Sequence, residues 1–233
     1  EKLIRNSITA AGTLSLDFMT SLLKKESIEE VLKNNSIVEF SLLKDGLKAL
    51  NEKKTLVNIE NALDKYYYNH LIEFSRILPK QGDLFRNFLL KEVEILNILT
   101  LLRLKKVKFD KKAIPNFIIP TGNKLKDTKI KSLADVGDLD ELSRALEKTE
   151  YKNVVQKGIK EFKESNSLIT LETELYQYLL KESILLLHQH PLSIDVILGF
   201  MFAKDIEIRN LRIIIKGKQL GLSEEFIENQ LVF

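Results

Sequence analysis

Two sets of polar residues recur at a spacing that could do chemistry: Lys91, Glu94 and Asn97, and again Lys204, Glu207 and Asn210. A spacing of three places each trio along one face of a helix. A carboxylate held there could bind a ligand or handle a proton. The other reading is a buried polar network that fixes helix register. A charge inside a core must be paired, so this reading predicts that Glu94 and Glu207 receive hydrogen bonds from neighbouring short helices. Occurrence of the set twice favours the structural reading.

Other chemistry is hard to assemble. His188 and His190 are two residues apart, so on a helix they point different ways and share no metal; they read as loop residues before Pro191. Tyr66, Tyr67 and Tyr68 could stack bases, but without basic residues between them they read as core and rim. The absence of cysteine excludes disulfides, thiolate metal sites and thiol nucleophiles. The nine glycines are scattered singly, with no phosphate-cradling loop and no HExxH motif, and no nucleophile with its base can be assembled from the sequence. The expectation is no catalytic residue, no metal and no cofactor: a chain that is not an enzyme.

The polar trios belong to a longer internal repeat. Lys91–Ile98 superposes on Lys204–Leu211 at a shift of 113 residues. Ile59, Leu63, Tyr66 and Pro79 fall on Leu171, Leu175, Tyr178 and Pro191 at 112; Ile28–Val31 falls on Leu139–Leu142 at 111; Gly12 falls on Gly122 at 110. The drift belongs in loops, because a gap within a helix would turn its apolar face by about 100°. This predicts units at 13–121 and 122–233, with 1–12 the tail of an earlier unit and a further unit upstream of Glu1.

Each unit is predicted to contain two short helices, a middle helix and two long ones. The first long helix spans about Ile59–Leu78 and Leu171–Gln189, with Asn58 and Thr170 as N-caps. The second spans about Leu84–Lys105 and Ile194–Lys218 and is apolar round much of its circumference, so it is expected at the centre of the core. The proline between each pair stops the first helix, and Gly217–Gly221 ends the last long one. Phe117–Ile119 is apolar, but its equivalent Gln230–Val232 argues for a helix end rather than a strand. The fold class expected is all-α, built from tandem similar helical units.

In 233 residues, 44% hydrophobic and 30% charged, 36 basic side chains interleave with 33 acidic ones for a net charge of only +3. A nucleic-acid surface concentrates its lysines and arginines instead. Lys105, Lys106, Lys108, Lys111 and Lys112 form the local exception, expected to be a solvated connector. Charge breaks every apolar stretch well before the ~20 residues a membrane span needs. Helical repeats share a core and expose surfaces that hold other proteins. The partner-facing candidates are the segments at the repeat starts: Gly12, Thr13 and Leu14, and Gly122, Asn123, Lys124 and Leu125.

The segment Pro191–Lys218, followed by Gly221–Glu225, resembles the C-terminal signature of the C subunit of archaeal-type ATP synthases, a family that includes the d subunit of the vacuolar ATPase. Lys91–Arg103 resembles the corresponding middle-repeat helix. The resemblance implies a funnel of three helical units, of which this sequence shows two. It implies a non-catalytic adaptor at the cytoplasmic face of a membrane, between the central shaft subunits and the proteolipid ring, transmitting rotation for proton or sodium transport. It assigns no contact residues, because the matched motif is mostly core. Without the resemblance, the residues support only a generic helical protein-binding scaffold.

Overall fold

The structure is a computed structural model and describes residues 14–78, 82–189 and 194–233. The described residues form eleven α-helices and no strand. They are α1 (Leu16–Leu23), α2 (Ile28–Asn34), α3 (Phe40–Lys53), α4 (Val57–Ile77), α5 (Gly82–Lys106), α6 (Lys124–Ala134), α7 (Leu139–Leu146), α8 (Lys152–Ser165), α9 (Ile169–Gln189), α10 (Ile194–Gln219) and α11 (Glu224–Glu228), with a 3-10 turn at Ile114–Phe117. Pro79, Pro191, His190, Gly12 and Thr13 lie outside the described residues.

Local chemistry explains the starts and stops. Ser27 caps α2 by accepting from the Glu30 amide, while the Glu30 carboxylate accepts from the Glu26 amide. At α7, Asp138 accepts from the Glu141 amide and the Glu141 carboxylate from the Gly137 amide. These reciprocal bonds satisfy amides that a helix start leaves without partners. The two long helices α4 and α9 begin one residue before the expected caps Asn58 and Thr170. The hydroxyls of Thr55 and Ser167 accept from the first helical amides, Val57 and Ile169, at 3.4 and 3.3 Å. Both α3 and α8 end on a left-handed residue, Lys54 and Asn166.

The long central helices also close alike. After α5 the Phe109 amide donates to the Leu104 carbonyl, with Lys108 left-handed. After α10 the Leu222 amide donates to Gly217, with Gly221 left-handed. This is the glycine-type helix stop expected for Gly217–Gly221, with lysine in the glycine's place in the first instance. Phe117 ends a 3-10 turn and Ile118 is extended, where an α-helix end was expected: Pro115 has no amide to donate, and Asn97 captures the backbone of Ile119.

The chain packs as two compact units divided within α4, between Tyr67 and Tyr68. In the first, Leu32, Val38, Leu43, Leu47 and Ile59 form the core. Gly46 lets α3 and α4 close up: a Cβ there would lie 2.8 Å from Ile59 Cγ1. In the second, α5 is the central helix, with Ile95, Ile98, Leu99, Leu101 and Leu102 fully buried among α6–α9 and Val93 buried with Ile72 and Ile119. Each such side chain contributes about 1.5–3 kcal/mol by leaving water. Gly158 meets Leu171 as Gly46 meets Ile59, its Cβ position lying 2.7 Å from Leu171 Cα.

Candidate functional site

The residues at three-residue spacing lie along α5 and α10. Asn97 is buried; its amide donates to the Ile119 carbonyl at 2.9 Å and accepts the Ile119 N–H at 2.8 Å. Asn210 does the same to Val232, at 2.7 and 3.0 Å. A side-chain amide carries a donor and an acceptor side by side, so it can replace a strand partner for one residue.

The acids do not match. Glu94 is only 2% exposed and takes Lys129 at 2.7 Å and Lys126 at 3.4 Å, both from α6. Glu207 is exposed and pairs at 2.5 Å with Lys204 of its own helix. The expectation that Glu207 receives hydrogen bonds from a neighbouring short helix is therefore incorrect. The cause lies in the chain downstream of each helix. α6 follows α5 and brings Lys126 and Lys129 to Glu94; α11 follows α10 and brings Ile227 to Gly217 instead.

The lysines diverge for the same reason. Lys91 reaches Glu182 at 2.7 Å, the Tyr178 hydroxyl at 3.2 Å and Glu150 at 3.6 Å. Burial disfavours its charge, but the hydrogen bonds it donates to Glu182 and Tyr178 outweigh that and hold the ammonium above the usual lysine range. Tyr178 also donates to Glu150 at 3.0 Å. These groups pair acid with base inside the fold.

The same asymmetry governs apolar surface. On α5, Phe88, Ile95, Ile98 and Leu102 are buried under α7–α9 and α10. At a shift of 113, α10 carries Met201, Ile208, Leu211 and Ile215, exposed by 61%, 47%, 54% and 64%. With Ile197 they form a stripe at alternating spacings of four, seven, three and four residues, the seam of a helix meant to pack on others. Beside it lies a groove of about 490 Å³, lined by Leu180, Phe200, Leu211, Ile214 and Phe233, with Glu207 and Asn210 at its edge.

The connector before α6 is well ordered. The Thr121 amide and hydroxyl both donate to Asp127, at 2.8 and 2.7 Å, and Gly122 is left-handed at φ 66°. The Asn123 side chain accepts from the Lys126 amide at 3.4 Å. Lys124 and Leu125 open α6, and Leu14 is half-buried ahead of α1.

Three contacts escaped sequence reasoning. Lys105, expected in a solvated connector, is buried and donates to the carbonyls of Ala134, at 2.9 Å, and Val136, closing the end of α6. Arg103 grips Glu172 with two bonds of 2.8 Å. Glu92 lies between Tyr68, whose hydroxyl donates to it at 3.4 Å, and the charge of Asp205. Each keeps its charge sign in the repeat, with Lys218, Lys216 and Asp205 as counterparts, but that does not disclose its partner. Among the described residues no cluster of histidines and acids could hold a metal ion, and no helix is long and apolar enough to cross a membrane.

The sequence profile of the ATP synthase (C/AC39) subunit matches residues 1–230. The chain belongs to this family. Relatives within it are named as the C subunit of A-type ATP synthases. The chain is 37% identical to that of Methanococcoides burtonii over 98% of its own length and 62% of the relative's. It is 34% identical to that of Methanosarcina barkeri over 98% and 61%. With Methanocaldococcus jannaschii the figures are 27% over 95% and 56%. The chain thus spans about three fifths of the length of these curated relatives. No solved structure matches it. The membership agrees with the resemblance carried by Lys91–Arg103 and Pro191–Glu225.

Proposed function

We propose that the chain acts as a non-catalytic adaptor in the central stalk of an A/V-type rotary ATPase. It couples the shaft subunits to the membrane proteolipid ring from the cytoplasmic side and passes on rotation for proton or sodium transport. The family supports the setting. The observation that carries the mechanism is the contrast between α5 and α10: the same apolar stripe is buried on one helix and exposed on the other, so the fold offers a ready-made seat for a helical neighbour. A torque-transmitting part must also be stiff. Helices of 21–26 residues, tied by asparagine clamps and internal ion pairs, meet that need.

The halves 13–121 and 122–233 are two copies of one unit on this reading. The matching caps, helix stops, glycine contacts and asparagine clamps support it. The connector Gly122–Leu125 faces the shaft or ring, and the α10 stripe receives a helix bearing a basic side chain opposite Glu207, as α6 does for Glu94. The test is reconstitution with purified shaft subunits and proteolipid ring of the same complex. A complex that forms, and that Leu211→Glu weakens by about tenfold, supports the reading. Failure of the unaltered chain to bind either component rejects it.

A further inference from the structure

Arg76, at the end of α4, and Arg86, near the start of α5, line one cleft of about 410 Å³, together with Asn87 and the connector Thr121–Asn123. None of the described lining side chains is acidic. Arg86 shares a 2.6 Å contact with Asp83 one turn away, which leaves its other donors free to face elsewhere. Arg76 has no hydrogen bond or ion pair with any described residue.

The Arg76 guanidinium lies against the connector. A Cβ on residue 122 would lie 2.5 Å from its Nη2, and residue 122 is a left-handed glycine. The left-handed backbone angle is what favours glycine there. At the counterpart positions of the second copy stand His188 and Gly199, so the repeated scaffold does not require the pair of arginines.

We propose that this cleft is an oxyanion site, taking a phosphate or carboxylate group on the guanidinium of Arg76, with Arg86 and the amide of Asn87 assisting. A guanidinium fork engages two oxygens of such a group at once. Anion binding at the cleft does not require the adaptor role, but its lining includes Gly122 and Asn123 of the connector assigned there to a partner, so a protein source for the anion rests on that reading. The test is calorimetric titration of the full chain at low ionic strength with inorganic phosphate and with glutarate, against chloride at matched ionic strength. Saturable binding is expected, weakened about tenfold in Arg76→Gln and nearly as much in Arg76→Lys, which keeps the charge and loses the fork. Arg76 is exposed, so neither change should unfold the chain, and circular dichroism checks this. Binding of both probes points to acidic side chains of a protein partner as the source; binding of phosphate alone points to a phosphate ligand. Heats no larger than the chloride blank, or unchanged affinity in Arg76→Gln, overturn the site.

Discussion

At the scale of single residues, three side chains give sharp expectations. Asn97→Ala removes both bonds to Ile119 and leaves a buried N–H and C=O unpaired, each costing about 1–3 kcal/mol; thermal or denaturant unfolding should show a loss of at least about 2 kcal/mol. Tyr151 is fully buried and its hydroxyl has no hydrogen-bond partner. Burial and the nearby Glu94 charge push that hydroxyl's pKa up, which keeps it protonated. Tyr151→Phe removes an unsatisfied group and is expected to raise stability by up to about 1 kcal/mol. A clear loss would mean that the hydroxyl does have a partner. Glu92 titrates in the fold near neutrality: burial and Asp205 push its carboxyl from 4.5 up to about 7, against the hydrogen bond from Tyr68. A carboxyl with a raised folded pKa contributes stability below its unfolded value and loses that contribution as pH rises through the folded one. Stability should therefore fall between pH 4.5 and 7. Glu92→Gln should flatten that fall and melt higher in alkaline buffer; an unchanged slope would assign it to another group.

At the scale of elements, the two helix stops provide an internal comparison. Lys108 holds a left-handed angle that glycine holds at position 221. A side chain there costs roughly 1–2 kcal/mol, so Lys108→Gly should stabilise, by somewhat less once the added freedom of the unfolded glycine is counted. The helix crossings work in the opposite sense. At Gly158, alanine would force α8 and α9 apart, because the atom it meets is backbone as well as side chain. Overpacking of this kind costs about 1–3 kcal/mol, and the same measurement on Gly46→Ala should show a loss of the same sign. Much of this was legible beforehand. The paired long helices, the glycine stop and the central burial of α5 follow from local signals; the expectation that α10 is equally central is incorrect, because Met201, Ile208, Leu211 and Ile215 are exposed where their α5 counterparts are covered. The caps Asn58 and Thr170 were misplaced because Thr55 and Ser167, three residues upstream, offer hydroxyls as good as theirs.

At the scale of the whole molecule, the two compact units differ in how much apolar surface they bury. Among the described residues, the buried cluster of the first has five members, whereas the main cluster of the second extends over helices α5–α9. Local stability follows buried contact. Native-state hydrogen exchange should therefore be faster in α1–α3 than in α5 and α9; equal protection in all of them would show that unfolding is a single event.

The amino-acid sequence by itself determined the class of structure and the order of the helices, because those depend on chain-local periodicity. The clamps that Asn97 and Asn210 place on the backbone 22 residues downstream came only with the folded chain, which brings Ile119 and Val232 back to them. Tertiary structure alone decided the fates of Glu94 and Glu207. Both stand in the same Lys-x-x-Glu-x-x-Asn context, yet one is buried between two lysines and the other lies in water. Burial of a charge depends on what covers the helix face, and only the element packed against it can supply that cover.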